Sequence, residues 1–173
     1  MKKFFLKILF SSTITFSYIA NPMTLGSVNV ILRANLIEKG CDISVGSDEQ
    51  FVDLGSWASS YFYFAGRESR KIPFSITLEN CENISQIKLT LLGKSNAIDS
   101  TLLSTTLGSS VGILLTDSSG MRLPVGRPKT YNISNSITGA KVILNFNAQY
   151  KALVIPVMTG NANADSVIAI DYI

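Results

Sequence analysis

Apolar and polar residues alternate along most of this chain. Val28, Val30 and Leu32 stand two apart, as do Phe74, Ile76 and Leu78, then Ile87, Leu89 and Leu91, then Val142, Leu144 and Phe146, and finally Ile168, Ile170 and Tyr172. Successive side chains of an extended strand point to opposite faces, so a period of two predicts strands with one buried face. Gly, Ser, Asn and Asp gather between these runs, in SVGSDE at 44–49, GKSNAIDS at 93–100, TDSSG at 116–120 and TGNANAD at 159–165. These residue types tolerate or stabilise tight turns, and the segments read as loops. Beyond residue 20 no amphipathic helix of useful length is visible. Short strands at this spacing predict an all-β, antiparallel sandwich.

The first twenty residues follow another pattern. Lys2, Lys3 and Lys7 precede an apolar run from Ile8 to Ala20. A short basic head before such a run predicts a secretory signal peptide over residues 1–20, too short for a membrane span. The small Ala20 favours a mature start at Asn21, and Ser17 with Thr15 also fits a cleavage site. This changes the meaning of the charge. The whole chain carries +3, from 15 Lys and Arg against 12 Asp and Glu. Without the three lysines of the head the balance is neutral, so nothing electrostatic points to nucleic acid.

Export also bears on Cys41 and Cys81, the two cysteines of the chain. In an oxidising compartment two cysteines in one domain most simply form a disulfide. The sequence has no His. That excludes Ser-His-Asp triads, Cys-His dyads and His-ligated metal sites, and two cysteines cannot make a four-cysteine zinc site. No glycine-rich phosphate loop or paired acidic motif stands out, so the reading is a non-enzyme without a cofactor. An aromatic cluster at Trp57, Tyr61, Phe62, Tyr63 and Phe64 leaves a second reading open: a secreted sandwich that binds carbohydrate or a receptor through exposed rings.

Two segments sit awkwardly in a self-contained sandwich. One is the alternating stretch NPMTLGSVNVILRANLIEKG before Cys41; the other is SVIAIDYI, a strand pattern that runs to Ile173. With PFSITLENC around Cys81, IKLTLLG at 87–93, VGILLTDSSGMRLPV at 111–125 and ILNFNAQY at 143–150, they occur in an order that resembles the subunits of chaperone–usher pili. The resemblance covers about Val28 to Ile173 and is nearest to the minor tip-fibrillum subunits of type 1 pili. The chain's end also resembles the pilin motif, with Tyr172 penultimate, Ile168 and Ile170 alternating before it, and Gly160 fourteenth from the end.

The resemblance implies an immunoglobulin-like Greek-key sandwich that lacks its last strand, over residues 38–173, preceded by a donor-strand extension at 21–37. The missing strand implies a groove beside the C-terminal strand, marked by Gly160, Ile168, Ile170, Tyr172 and Ile173. In such a family a periplasmic chaperone lends a strand to that groove, an outer-membrane usher exports the subunit, and the extension of a neighbouring subunit then replaces the chaperone. The terminal carboxylate of Ile173 resembles the group that these chaperones anchor with basic side chains. Val28, Val30, Leu32, Ala34 and Leu36 share one face and are expected to plug a neighbour's groove; the family pattern carries glycine where this chain has Ala34. The expected function is therefore a structural, minor or adaptor subunit of a surface fimbrium that supports cell adhesion.

Overall fold

The structure is a computed structural model that describes residues 27–34, 40–82, 84–133 and 140–173. The segment assigned above to a signal peptide and Leu36 lie outside the described residues. Ten strands follow in order: β1 (Ser27–Ala34), β2 (Asp42–Ile43), β3 (Glu49–Asp53), β4 (Ile72–Cys81), β5 (Gln86–Gly93), β6 (Leu103–Thr105), β7 (Gly108–Asp117), β8 (Pro128–Asn132), β9 (Ala140–Ala152) and β10 (Ala164–Tyr172). A single turn of 3-10 helix at Ser59–Tyr61 interrupts the loop between β3 and β4. Two five-stranded sheets result, one in the order β3-β1-β10-β5-β8 and the other β2-β4-β9-β7-β6.

The core between the sheets is built by the alternating residues of the sequence. Ile76 and Leu78 of β4, Ile87, Leu89 and Leu91 of β5, Phe146 of β9, and Ile168 and Ile170 of β10 are almost fully buried. Each of these strands presents its other face outward, which gives the period of two its physical cause. β7 departs from alternation: every residue from Ser110 to Asp117 is buried. Its outer face lies under the loop before β6, where Leu102 packs so closely that a Cβ on Gly112 would stand 2.9 Å from it.

Among the described residues, every pairing between the named strands but one is antiparallel. β1 runs parallel to β10, in a register from Val28 opposite Ala164 to Ala34 opposite Ile170, and antiparallel to β3 on its other side. Among the described residues, β1 thus lies between β3 and β10 and links them in its sheet. Without it the sandwich has a strand-wide gap at that place, which is the incomplete immunoglobulin-like architecture. The sequence led to the expectation that another chain would fill the gap. Here residues 27–34 of the same chain lie in that position.

A polar clamp joins the sheets at the far edge. Asp117, at the end of β7, is 5% exposed. Lys129 Nζ donates to its Oδ2 at 2.5 Å and the Tyr131 hydroxyl at 3.2 Å, both from β8 in the opposite sheet. The N–H groups of Ser119 and Met121 donate to Oδ1 at 3.0 Å. Burial alone would raise the carboxyl's pKa; the hydrogen bonds from Lys129, Ser119 and Met121, with the lysine's charge, outweigh it and hold the group at about 2, below its ordinary 3.8. A depressed carboxyl pKa stabilises the fold above the unfolded value, and the effect is lost as pH falls from about 4 toward 2. Asp117→Asn should therefore lower the unfolding free energy by about 2 kcal/mol at pH 7, with the gap closing near pH 2. Urea titrations of both proteins at pH 7 and pH 2.5 check this; a gap of equal size at both pH values would count against the clamp.

Candidate functional site: the strand position between β3 and β10

The inner wall of the gap is β10. Ala164, Ser166, Ile168 and Ile170 are buried, while Asp165 and Asp171 on the opposite face are exposed. Behind β10, Ile168 pairs with Leu91, Ile170 with Leu89 and Tyr172 with Ile87, so core side chains of two strands line up in rows. In the register described above, Val28, Val30, Leu32 and Ala34 stand opposite these same buried residues of β10.

Both lips of the gap are held by contacts that do not involve β1. β10 is paired to β5 from Ser166 to Tyr172. β3 is tied to the other sheet: Gln50 Nε2 donates to the Ser75 carbonyl at 2.7 Å, and the Thr77 N–H of β4 donates to Ser47 Oγ at 3.0 Å. The place for a strand is therefore set by the rest of the sandwich. A bare β10 would expose a row of unpaired N–H and C=O groups beside apolar side chains, which favours pairing with any suitable strand.

Tyr172 closes one end of the gap. Its hydroxyl donates to the Cys41 carbonyl at 3.0 Å. Its ring lies so close to Gly40 that a Cβ there would stand 2.9 Å from Cδ2, so glycine is the residue that fits at the entrance to the disulfide. Burial pushes the Tyr172 hydroxyl's pKa up, against the hydrogen bond to Cys41. Cys41 and Cys81 form a disulfide, which ties the start of β2 to the end of β4. The Ile173 carbonyl accepts from the N–H groups of Ser85 and Gln86 at 3.2 and 3.1 Å, and the Ile173 N–H donates to the Gln86 carbonyl at 2.9 Å. The Ile173 side chain itself is exposed.

The segment leading into β10 lines a cavity of about 230 Å³, walled also by Trp57, Phe62, Leu107, Val111 and Tyr150. Gly160 is part of its lining, with a φ of 141° that side chains rarely adopt, and a Cβ there would stand 3.0 Å from Leu107 Cδ2. Tyr150 donates its hydroxyl to the Ala162 carbonyl at 3.0 Å, and burial raises its pKa to about 12. The wall is mostly apolar and includes Ala162, two residues before the start of β10.

The structure places Ile168, Ile170 and Tyr172 on β10, Gly160 in the lining of the cavity, and the disulfide beside Tyr172. Two parts of the site were missed in the sequence: the Gly40–Tyr172 contact and the cavity. Both join residues far apart along the chain, and no local pattern marks them. The aromatic cluster mostly packs the loop. Phe62 is buried, Trp57 Nε1 donates to the Leu54 carbonyl at 2.8 Å, and the Tyr61 hydroxyl donates to the Glu68 carbonyl at 3.3 Å. Tyr63 and Phe64 are exposed and share the Arg67 guanidinium, 4.5 and 5.7 Å from their ring centres. Among the described residues there is no cluster of three or more His, Cys, Asp or Glu side chains that could hold a metal ion.

Comparison with known proteins fits this geometry. The profile of the fimbrial protein family matches residues 28–173. The chain is 32% identical to the fimbrial-like protein FimF of Salmonella typhimurium over 86% of each chain. It is 29% identical to the fimbrial-like protein SfmA of Escherichia coli, over 95% of this chain and 92% of that one. In fold it is similar to the P pilus rod subunit PapA, with a TM-score of 0.65, 24% identity, and coverage of 77% of this chain and 99% of PapA. The chain belongs to the fimbrial protein family and is a structural subunit of a chaperone–usher pilus.

Proposed function

We propose that the subunit polymerises by strand addition at the site between β3 and β10. Residues 21–37 are the donor segment, and Val28, Val30, Leu32, Ala34 and Leu36 are the face it offers to a neighbour's groove. The receiving groove is that of residues 38–173, lined by Ile168, Ile170 and Tyr172. Main-chain hydrogen bonds along β10 give affinity, and pockets for alternate side chains give specificity. Before assembly a periplasmic chaperone covers the groove; an outer-membrane usher then passes the subunit into a surface fimbrium. The resemblance to minor tip-fibrillum subunits supports a minor or adaptor place in that fibre.

The observation that carries this reading is that, among the described residues, β3 and β10, both held from outside, are linked by a strand drawn from the N-terminal segment. Co-expression of the mature chain with its pilus chaperone tests it. Gel filtration of the periplasmic extract should give a stable one-to-one complex, and a chain carrying Leu32→Asp should still form that complex but should not assemble. Its charge would have to enter an apolar groove unpaired. A chain that never associates with the chaperone would contradict the proposal.

A further inference from the structure

We propose that Tyr63, Phe64 and Arg67 form a binding corner for an acidic saccharide: a carboxylated sugar lays its ring on the exposed aromatic faces and its carboxylate against the guanidinium. The corner belongs to the loop between β3 and β4 and does not depend on the strand position. The Gly66 N–H donates to the Ala152 carbonyl at 2.7 Å, and the Ala152 N–H donates to the Arg67 carbonyl at 2.9 Å. These bonds fix this part of the loop to β9, in the sheet that does not contain β1. Tyr63 is 65% exposed and Phe64 47%. Their ring centres are 5.0 Å apart, with the planes at 70°. The Arg67 guanidinium lies 4.3 Å from the Tyr61 ring centre and 4.5 Å from that of Tyr63, and its Nη1 donates to the Tyr63 hydroxyl at 2.8 Å. Exposed rings whose orientation is already fixed take up a ligand at little further ordering cost.

Charge indicates the class of ligand. Arg67, Arg70 and Lys71 form no ion pair among the described residues, and Arg70 and Lys71 are exposed. The acid among them, Glu68, accepts from Gln149 Nε2. Without its basic head the chain is neutral, so these neighbouring cations are a local excess that favours an anion. Arg67 is half-buried, and its Nε is buried without a hydrogen-bond partner. A counter-charge is worth more in such a setting than in open water. The rings cover the faces of the guanidinium and leave its planar N–H edge for an acceptor. A carboxylate matches that edge with two parallel hydrogen bonds. The negative faces of Tyr63 and Phe64 attract the positively polarised C–H groups on the flat side of a pyranose. A uronic-acid polymer offers both features at every sugar. Arg70 and Lys71, within about 14 Å of Arg67 along the chain, stand within reach of the carboxylates of adjoining sugars. An acidic peptide supplies the charge without the ring face.

Calorimetric titration of the mature, disulfide-closed chain with polygalacturonate is the test. Neutral dextran, polyglutamate, and dextran sulfate of matched charge density are the comparison polymers. Polygalacturonate should bind and dextran should not, while polyglutamate and dextran sulfate should bind roughly tenfold more weakly. Tyr63→Ala and Phe64→Ala should each weaken polygalacturonate about tenfold. Both side chains are exposed, so the melting temperature should stay that of the native chain. Arg67→Lys keeps the charge, loses the planar fork and should weaken binding by a similar factor. Arg70→Gln should weaken it a few-fold and flatten its salt dependence. No binding of polygalacturonate overturns the proposal, as does undiminished binding by both aromatic variants. Equal binding of polyglutamate makes the corner a site for acidic peptides and overturns the saccharide. Tighter binding of dextran sulfate overturns the carboxylate. The polymer comparison on the native chain needs no variant, and none of these outcomes touches the strand site.

Discussion

A chain lacking Asp171, Tyr172 and Ile173 is expected to disappear from the periplasm as a folded subunit. The deletion removes the ring that packs on Gly40, the hydroxyl bond to the Cys41 carbonyl and the main-chain bonds of Ile173 with Ser85 and Gln86. It also uncovers Ile87, the register partner of Tyr172. Graded variants separate these contributions. Tyr172→Phe loses a hydrogen bond alone and should cost about 1 kcal/mol. Tyr172→Ala also loses the ring packing and should cost roughly 3 kcal/mol. The salt bridge between Lys88 and Asp171 is exposed on both sides and should add little. The yield of soluble, disulfide-closed subunit and its melting temperature are the readouts. Normal yield after the three-residue deletion would show that Tyr172 does not close the site.

Losing the disulfide should produce the second large effect. Cys41 and Cys81 are 40 residues apart, and closing a loop of that length stabilises a fold by roughly 4 kcal/mol in the chain-entropy model. For a domain whose net stability is typically about 5–15 kcal/mol this is a large share. The bond also sits at the site: Cys41 accepts the Tyr172 hydroxyl, and its neighbour Gly40 carries the ring. Cys41→Ser or Cys81→Ser should therefore lower yield and melting temperature together, and the double replacement should cost no more than either single one, because both break the same bond. Denaturant titrations of the three variants check this, and additive losses would contradict it.

How much of this was legible in the sequence depended on whether a feature is local. Residues such as Ile87, Leu89 and Leu91 announce a half-buried strand by themselves, since alternation is a property of neighbours along the chain. Cys41 and Cys81 could be paired because export left few alternatives. β8 carried no such signal. Its residues are PKTYN, and Lys129 and the Tyr131 hydroxyl reach a buried carboxylate on the opposite sheet. Nothing local marked Gly40, although the Tyr172 ring, more than 130 residues away, packs so closely that a Cβ there would clash. The cavity drew on the loop after β3, the turn before β7, and the segment before β10, and only the fold brings those together. The direction of β1 was equally hidden. Alternation gives the face of a strand but not its sense, and β1 runs parallel to β10.

The account turns on the claim that the position between β3 and β10 is a site for a strand that can come and go. The most direct measurement is the thermal stability of the chain lacking residues 21–34, alone and with increasing amounts of the 24–38 peptide. A low melting temperature that rises with peptide concentration, by roughly 2.7 kcal/mol of added stability at a hundred times the dissociation constant, is the predicted result. A shortened chain that melts with the full-length subunit and ignores the peptide would contradict the account.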